Sequence, residues 1–150
     1  MPSPTDMPAD LFEDHRAILA IAQEVLEMVR RTPRPGIDAL AQIRTRLGAR
    51  MAQHLRDEDA MIVRPLLASG RIDELPGAQE AIVAIRQARA HYSSHVGKWT
   101  PAAIQADWDG YGEAITDMID RFQQRAAMEE RDLYWPALRL LQGTPSGMGG

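Results

Sequence analysis

The chain has 150 residues and no cysteine. That absence removes disulfides, thiolate nucleophiles, cysteine-held iron–sulfur clusters and thiolate zinc sites. No apolar run is long enough to cross a bilayer. The N-terminal MPSPTDMPADLFED is polar and acidic and lacks the basic-then-apolar order of a secretory signal. There is no long basic block either. Its 17 Lys and Arg are scattered among 21 Asp and Glu, for a net charge of −4. With a pI of about 5.5, neither nucleic acid nor an anionic membrane surface is an expected partner. The chain reads as a soluble cytoplasmic protein, and its length suits one domain with a real hydrophobic core.

What is present is helical periodicity. Asp10 reads as the N-cap of a first helix over 10–31, with Leu11, His15, Ile18, Val25 and Val29 on one stripe. Thr32-Pro33-Arg34-Pro35-Gly36 turns the chain. A second helix covers 37–68, with Pro65 placed to kink its last turns. Gly70 is its expected stop. A third helix runs over 77–99, its inner face reading Ala81, Ala84, Ala88, His91, His95 and Trp99. Thr100-Pro101 has the form of a cap followed by proline at the first helical position. A fourth helix extends over 108–141. No alternating strand pattern competes. The expected fold is all-α, an antiparallel up-down four-helix bundle over 9–142, with 1–8 and 143–150 as flexible tails.

Two stretches share one pattern. HLRDEDAMIVRPLL carries His54, Glu58, Pro65 and Leu67; RAAMEERDLYWPAL carries Arg125, Glu129, Pro136 and Leu138 at the same spacing. Each glutamate begins an acidic pair, Glu58-Asp59 and Glu129-Glu130. A histidine and a glutamate four apart lie one above the other on a helix, a geometry that grips a cation. The four histidines of the chain, His15, His54, His91 and His95, all fall on the expected inner faces, as do Glu58 and Glu129. Free carboxylates in a bundle core cost roughly several kcal/mol each, and a bound cation reverses that sign. Imidazole plus carboxylate without thiolate suits iron, zinc, manganese or copper. Tyr134 reads as a packing residue or helix-end anchor, with a hydroxyl available for a hydrogen bond to the site. No nucleophile, general acid or organic-substrate signature stands out.

The ordered set His15, His54xxxGlu58, His91xxxHis95 and an acidic pair before a proline resembles the hemerythrin-like HHE cation-binding family over nearly the whole chain. The resemblance implies a non-haem iron centre, with two ions or one, and with manganese or zinc as substitutes. It implies His15 and His54 on one iron, His91 and His95 on the other, and Glu58 and Glu129 bridging them. It implies a small diatomic ligand or peroxide as partner: oxygen, nitric oxide or hydrogen peroxide bound, sensed or turned over. The alternatives are a regulatory iron-handling module without oxygen chemistry and a metal-free scaffold. The departure from the family pattern is Arg125, which stands where a further histidine is usual and has no lone pair to donate. Turned outward, it leaves an open second site. Turned inward onto Glu129, it weakens or removes that site, leaving His15, His54 and Glu58 for one ion or none. Glu130, one residue on in the helix register, is a fallback carboxylate.

Overall fold

In the computed structural model, residues 6–143 are described, with side-chain burial over 11–142. The described residues are all helical apart from their connections, and no strand occurs among them. α1 (Asp6–Arg30) leads to α2 (Ile37–Glu58), which runs through a π-turn (Asp59–Val63) into α3 (Arg64–Ser69). After a 3-10 turn (Ile72–Glu74) come α4 (Ala78–Lys98), the short α5 (Pro101–Ala106) and α6 (Trp108–Glu129). A second π-turn (Glu130–Tyr134) joins α6 to α7 (Trp135–Gly143). Right-handed helical dihedrals persist through both junctions. Thus α2–α3 and α6–α7 are two long, locally widened helices, and with α1 and α4 they make the expected helix bundle.

The local signals act as their chemistry dictates. The Thr100 side chain accepts a hydrogen bond from the Ala103 amide and Pro101 opens α5. The Asp107 side chain accepts from the Gly110 amide and caps α6. Gly70 ends α3 with φ 70°, in the left-handed region that glycine enters without a Cβ penalty. One boundary differs: α1 is already helical at Asp6, so Asp10 lies inside the helix and is not its N-cap. Of the tails expected at 1–8 and 143–150, residues 1–5 and 144–150 lie outside the described residues, and the remaining four are helical.

The two π-turns have a shared cause. Proline has no N–H and its ring collides with the carbonyl four residues back, so a regular α-helix cannot run through it unstrained. Pro65 follows the first widened turn by two residues, and Pro136 follows the second by two. Each π-turn takes up one extra residue and so rotates everything beyond it relative to the preceding helix. The buried positions that result are equivalent in the two halves: Glu58, Ile62, Val63 and Leu66 in one, Glu129, Leu133, Tyr134 and Ala137 in the other.

The core has two apolar clusters with a polar layer between them. One holds Ile18, Val25, Met51, Ile115, Phe122 and Ala126 with their neighbours. The other holds Leu11, Phe12, Ile62, Leu66, Leu133 and Leu138 with theirs. Along α1, α2 and α6 the residues between these clusters are His15, His54 with Glu58, and Glu129, all buried. The first half of α4 buries Ala78, Ala81, Ile82 and Ile85; further along, Tyr92 packs against the first cluster, and Trp99, just past the helix end, is part of it. A cavity of about 460 Å³ lies between α4 and α1, α2 and α6. Ile115, 1% exposed in the first cluster, is expected to lose about 2–5 kcal/mol on truncation to Ala. Val83, half exposed on α4, is expected to lose at most about 0.5 kcal/mol. Urea midpoints of Ile115→Ala and Val83→Ala check this ranking.

Candidate metal centre

Four donors from three helices converge in the polar layer. His15 comes from α1, His54 and Glu58 from α2, and Glu129 from the end of α6; one ligand atom of each lies within 4.8 Å of all the others. The helix period explains the α2 pair, since four residues return the chain to the same face one turn later. His54 Nε2 is 3.6 Å from Glu58 Oε2. Across the layer, His15 Nε2 is 3.2 Å from Glu129 Oε1, and the two imidazole rings sit 4.7 Å apart.

The outer nitrogen of each imidazole is tied off. His15 Nδ1 lies 2.7 Å from Glu130 Oε2, and His54 Nδ1 lies 3.0 Å from Asp14 Oδ2. Asp14 is fixed in turn by Arg50, whose guanidinium donates to Oδ1 at 2.8 Å. A carboxylate on Nδ1 selects the tautomer with its hydrogen there and leaves the Nε2 lone pair facing inward, the arrangement that metal-binding imidazoles ordinarily have. Asp14 and Glu130 thus orient the two histidines. Glu130 is therefore engaged with His15 and is not in the four-donor group.

Tyr134 reaches the middle of the layer. Its hydroxyl lies 3.2 Å from His15 Nε2, 3.3 Å from His54 Nε2 and 3.2 Å from Glu129 Oε1, and it donates a very close hydrogen bond to Glu58 Oε2. Among the residues suggested by the sequence, Tyr134 had the weakest signal, and the π-turn that brings it inward is what made the helical period misleading there.

Electrostatics follow from burial. For His54, burial disfavours the charged ring, but the Glu58 and Asp14 carboxylates together outweigh it and raise its pKa above 6.5. Burial also pushes Glu58 upward, and the His54 ring overcomes it, so Glu58 is held below the ordinary value. Glu129 goes the other way: burial raises it, contact with His15 opposes this, and the Glu58 charge adds to the rise. The Tyr134 phenol is pushed well above 10 by burial and by both carboxylates. The two carboxylates are thus shifted in opposite directions, Glu58 down and Glu129 up.

Arg125 turns inward. Its Nε donates to Glu129 Oε2 at 3.1 Å, and its guanidinium lies 5.1 Å from the centre of the Phe122 ring. The contact takes only the outer oxygen of Glu129; Oε1 still faces His15 and Tyr134. Glu129 therefore stays in the donor group despite the clamp.

The α4 pair lies elsewhere. His91 is exposed and lines the cavity. His95 is half buried, with Tyr92 and Tyr111 stacked 6.4 and 6.0 Å from its ring. The face that α4 presents to the core is set by Ala78, Ala81, Ile82 and Ile85. Neither histidine enters the four-donor group, which is the only such group that includes any histidine of this chain among the described residues.

The comparisons agree with this geometry. The hemerythrin HHE cation-binding domain matches residues 6–139, from the start of α1 into α7. The chain belongs to that family. Searches of curated proteins and of solved structures give no match. In this hemerythrin-family chain the buried layer of two histidines and two glutamates is consistent with the family's cation site. No helix among the described residues is long and apolar enough to cross a membrane.

The setting of His95 has a consequence for acid stability. Burial first, then the charges of Arg44, His91 and Lys98, lowers its pKa from 6.5 to about 4. Between those values the unfolded chain binds a proton that the folded chain refuses. This part of the stability is present above about pH 6.5 and is lost as pH falls through about 4. His95→Gln is expected to lose less stability than the parent between about pH 7 and about pH 4.5 in paired urea melts. Equal losses in the two proteins would remove His95 from the acid response.

Proposed function

We propose that this hemerythrin-family chain holds one non-haem iron ion in its polar layer, through His15, His54, Glu58 and Glu129, and uses it to bind or sense a small uncharged or peroxidic ligand. The observation that carries this is the convergence of four buried donor atoms within 4.8 Å, with both outer imidazole nitrogens already engaged by carboxylates. The donor set fits the group: it is nitrogen and oxygen only, it is buried, and it carries carboxylates whose negative charge a divalent cation would neutralise.

A single ion is favoured over two by Arg125. A carboxylate that bridges two ions through both oxygens needs both free, and Oε2 of Glu129 is held by the guanidinium. His91 and His95, the ligands of a second ion under the family pattern, would remain outside the site in this proposal. Manganese and zinc fit the same donors, and cellular supply helps choose among them.

When bound, ferrous iron supplies electrons and a coordination position for oxygen, nitric oxide or peroxide. The chain does the rest. Asp14 and Glu130 hold the imidazoles in donor orientation, and Arg125 fixes Glu129 through its outer oxygen. The apolar clusters above and below exclude water. Phe122 packs edge-on against His15, with centroids 5.6 Å apart, and both Phe122 and Arg125 line the large cavity. Phe122 therefore touches both the cavity and the His15 ring of the donor layer, which places the cavity on the side from which a small apolar molecule would approach.

Anaerobic loading of metal-free protein with ferrous iron should give close to one ion per chain. His54→Ala and Glu58→Gln should each lose most of it. At a free metal concentration about a hundred times Kd, binding adds about 2.7 kcal/mol, which raises Tm by about 5–10 °C for a chain of this size. Oxygen or nitric oxide should then change the near-ultraviolet and visible spectrum. Stoichiometric metal and a raised Tm with no such response would identify an iron-handling module. No stoichiometric metal would leave a metal-free scaffold and end the proposal.

A further inference from the structure

One oxygen atom of this chain touches every inward-facing donor of the layer. Tyr134 Oη lies 3.2 Å from His15 Nε2, 3.3 Å from His54 Nε2 and 3.2 Å from Glu129 Oε1, and is closer still to Glu58 Oε2. A neutral phenol has one hydrogen and accepts at most two bonds. Donating to Glu58, it has no hydrogen left for the Glu129 oxygen or for the two imidazole lone pairs. A cation placed among these atoms turns all five into donors to a common centre.

The ring has nowhere else to go. Tyr134 is fully buried, with Phe12 edge-on at 5.8 Å and His15 stacked at 5.4 Å between ring centres. The π-turn Glu130–Tyr134 fixes its backbone beside Glu129. An ion entering the layer can displace the hydroxyl only slightly, which keeps it within reach of the ion.

Charge selects the ion. Glu58 and Glu129 supply two negative charges, which balance a divalent cation while the phenol stays protonated. A phenolate is a third, and three anionic donors balance a trivalent cation. In a buried layer a neutral assembly is the least costly one.

We propose that Tyr134 is a metal ligand, binding as phenolate when the layer holds a trivalent ion; this rests on the metal centre proposed above. The step is a ligand exchange. The Oη–metal bond forms, the Oη–H bond breaks, and one proton leaves for solvent with no transfer of electrons. The equivalent position in the other half of the chain is Val63, so the site has one phenol donor.

The test uses the full chain, loaded anaerobically with ferrous iron and oxidised with ferricyanide. The ferric protein should show a visible phenolate-to-iron charge-transfer band. Raman excitation within that band should enhance tyrosine ring modes that shift when the protein is made with ring-deuterated tyrosine. This measurement needs no variant. Tyr134→Phe should keep about one iron per chain and lose the band, whereas Tyr92→Phe should keep both. Gallium(III), which is redox-inert, should produce a tyrosinate ultraviolet difference spectrum in the parent but not in Tyr134→Phe. Iron bound at one per chain with no tyrosine modes, or with the same spectrum in Tyr134→Phe, would overturn this inference and leave the metal centre standing. Absence of bound metal would overturn both.

Discussion

Two carboxylates buried between apolar clusters set the terms for the rest of this bundle. Glu58 and Glu129 are nearly without solvent, and removing such groups from water costs roughly several kcal/mol each unless opposite charge or hydrogen bonds replace it. The surrounding polar residues supply that replacement in shells. His15, His54 and Tyr134 face the carboxylates directly. Asp14 and Glu130 hold the imidazoles from behind. Arg50 and Arg125 close the network towards the surface. The two carboxylates are not equivalent: the His54 ring holds the Glu58 pKa down against burial, while burial and the Glu58 charge push that of Glu129 up. A metal ion would remove that asymmetry, which is the physical sense of a cation-binding family domain built on these residues.

The repeat in the sequence has a mechanical counterpart. Each half places a glutamate, a π-turn and a proline in the same order, so each long helix changes the face it buries just beyond its carboxylate. The halves then diverge by substitution on a common frame. Where one has His54 the other has Arg125, and where one has Val63 the other has Tyr134. The first exchange trades a lone pair for a charge. The second trades apolar filler for a hydroxyl at the centre of the layer. Together they turn a nearly symmetric scaffold into a lopsided donor set.

Much of this was legible in the sequence because helical periodicity and i, i+4 spacing are local properties. The long helices, the caps at Thr100 and Gly70, and the inward placement of His15, His54, Glu58 and Glu129 follow from them. The rest depends on rotation about a helix axis, which spacing does not specify. His91 and His95 share a face whichever way that face points, and the docking of Ala81, Ile82 and Ile85 decides that it misses the four-donor layer. Tyr134 was obscured by the extra residue of the π-turn, since a strict 3.6-residue period does not carry across it. Asp14 sits beside His15 in sequence, yet its partner is His54 on the next helix, a pairing that only the packing of α1 against α2 can reveal.

All four donors belong to α1, α2 and α6, and α4 contributes none. An ion in the layer would therefore cross-link three helices and leave the fourth held by its side-chain packing alone. Amide protons along the second half of α4 would then exchange with solvent through local detachment that the ion does not oppose, while those flanking His15, His54 and Glu129 would become harder to reach. The cavity wall formed by α4 would lie outside the stiffened part, so rigidity of the donor layer would not by itself fix that wall.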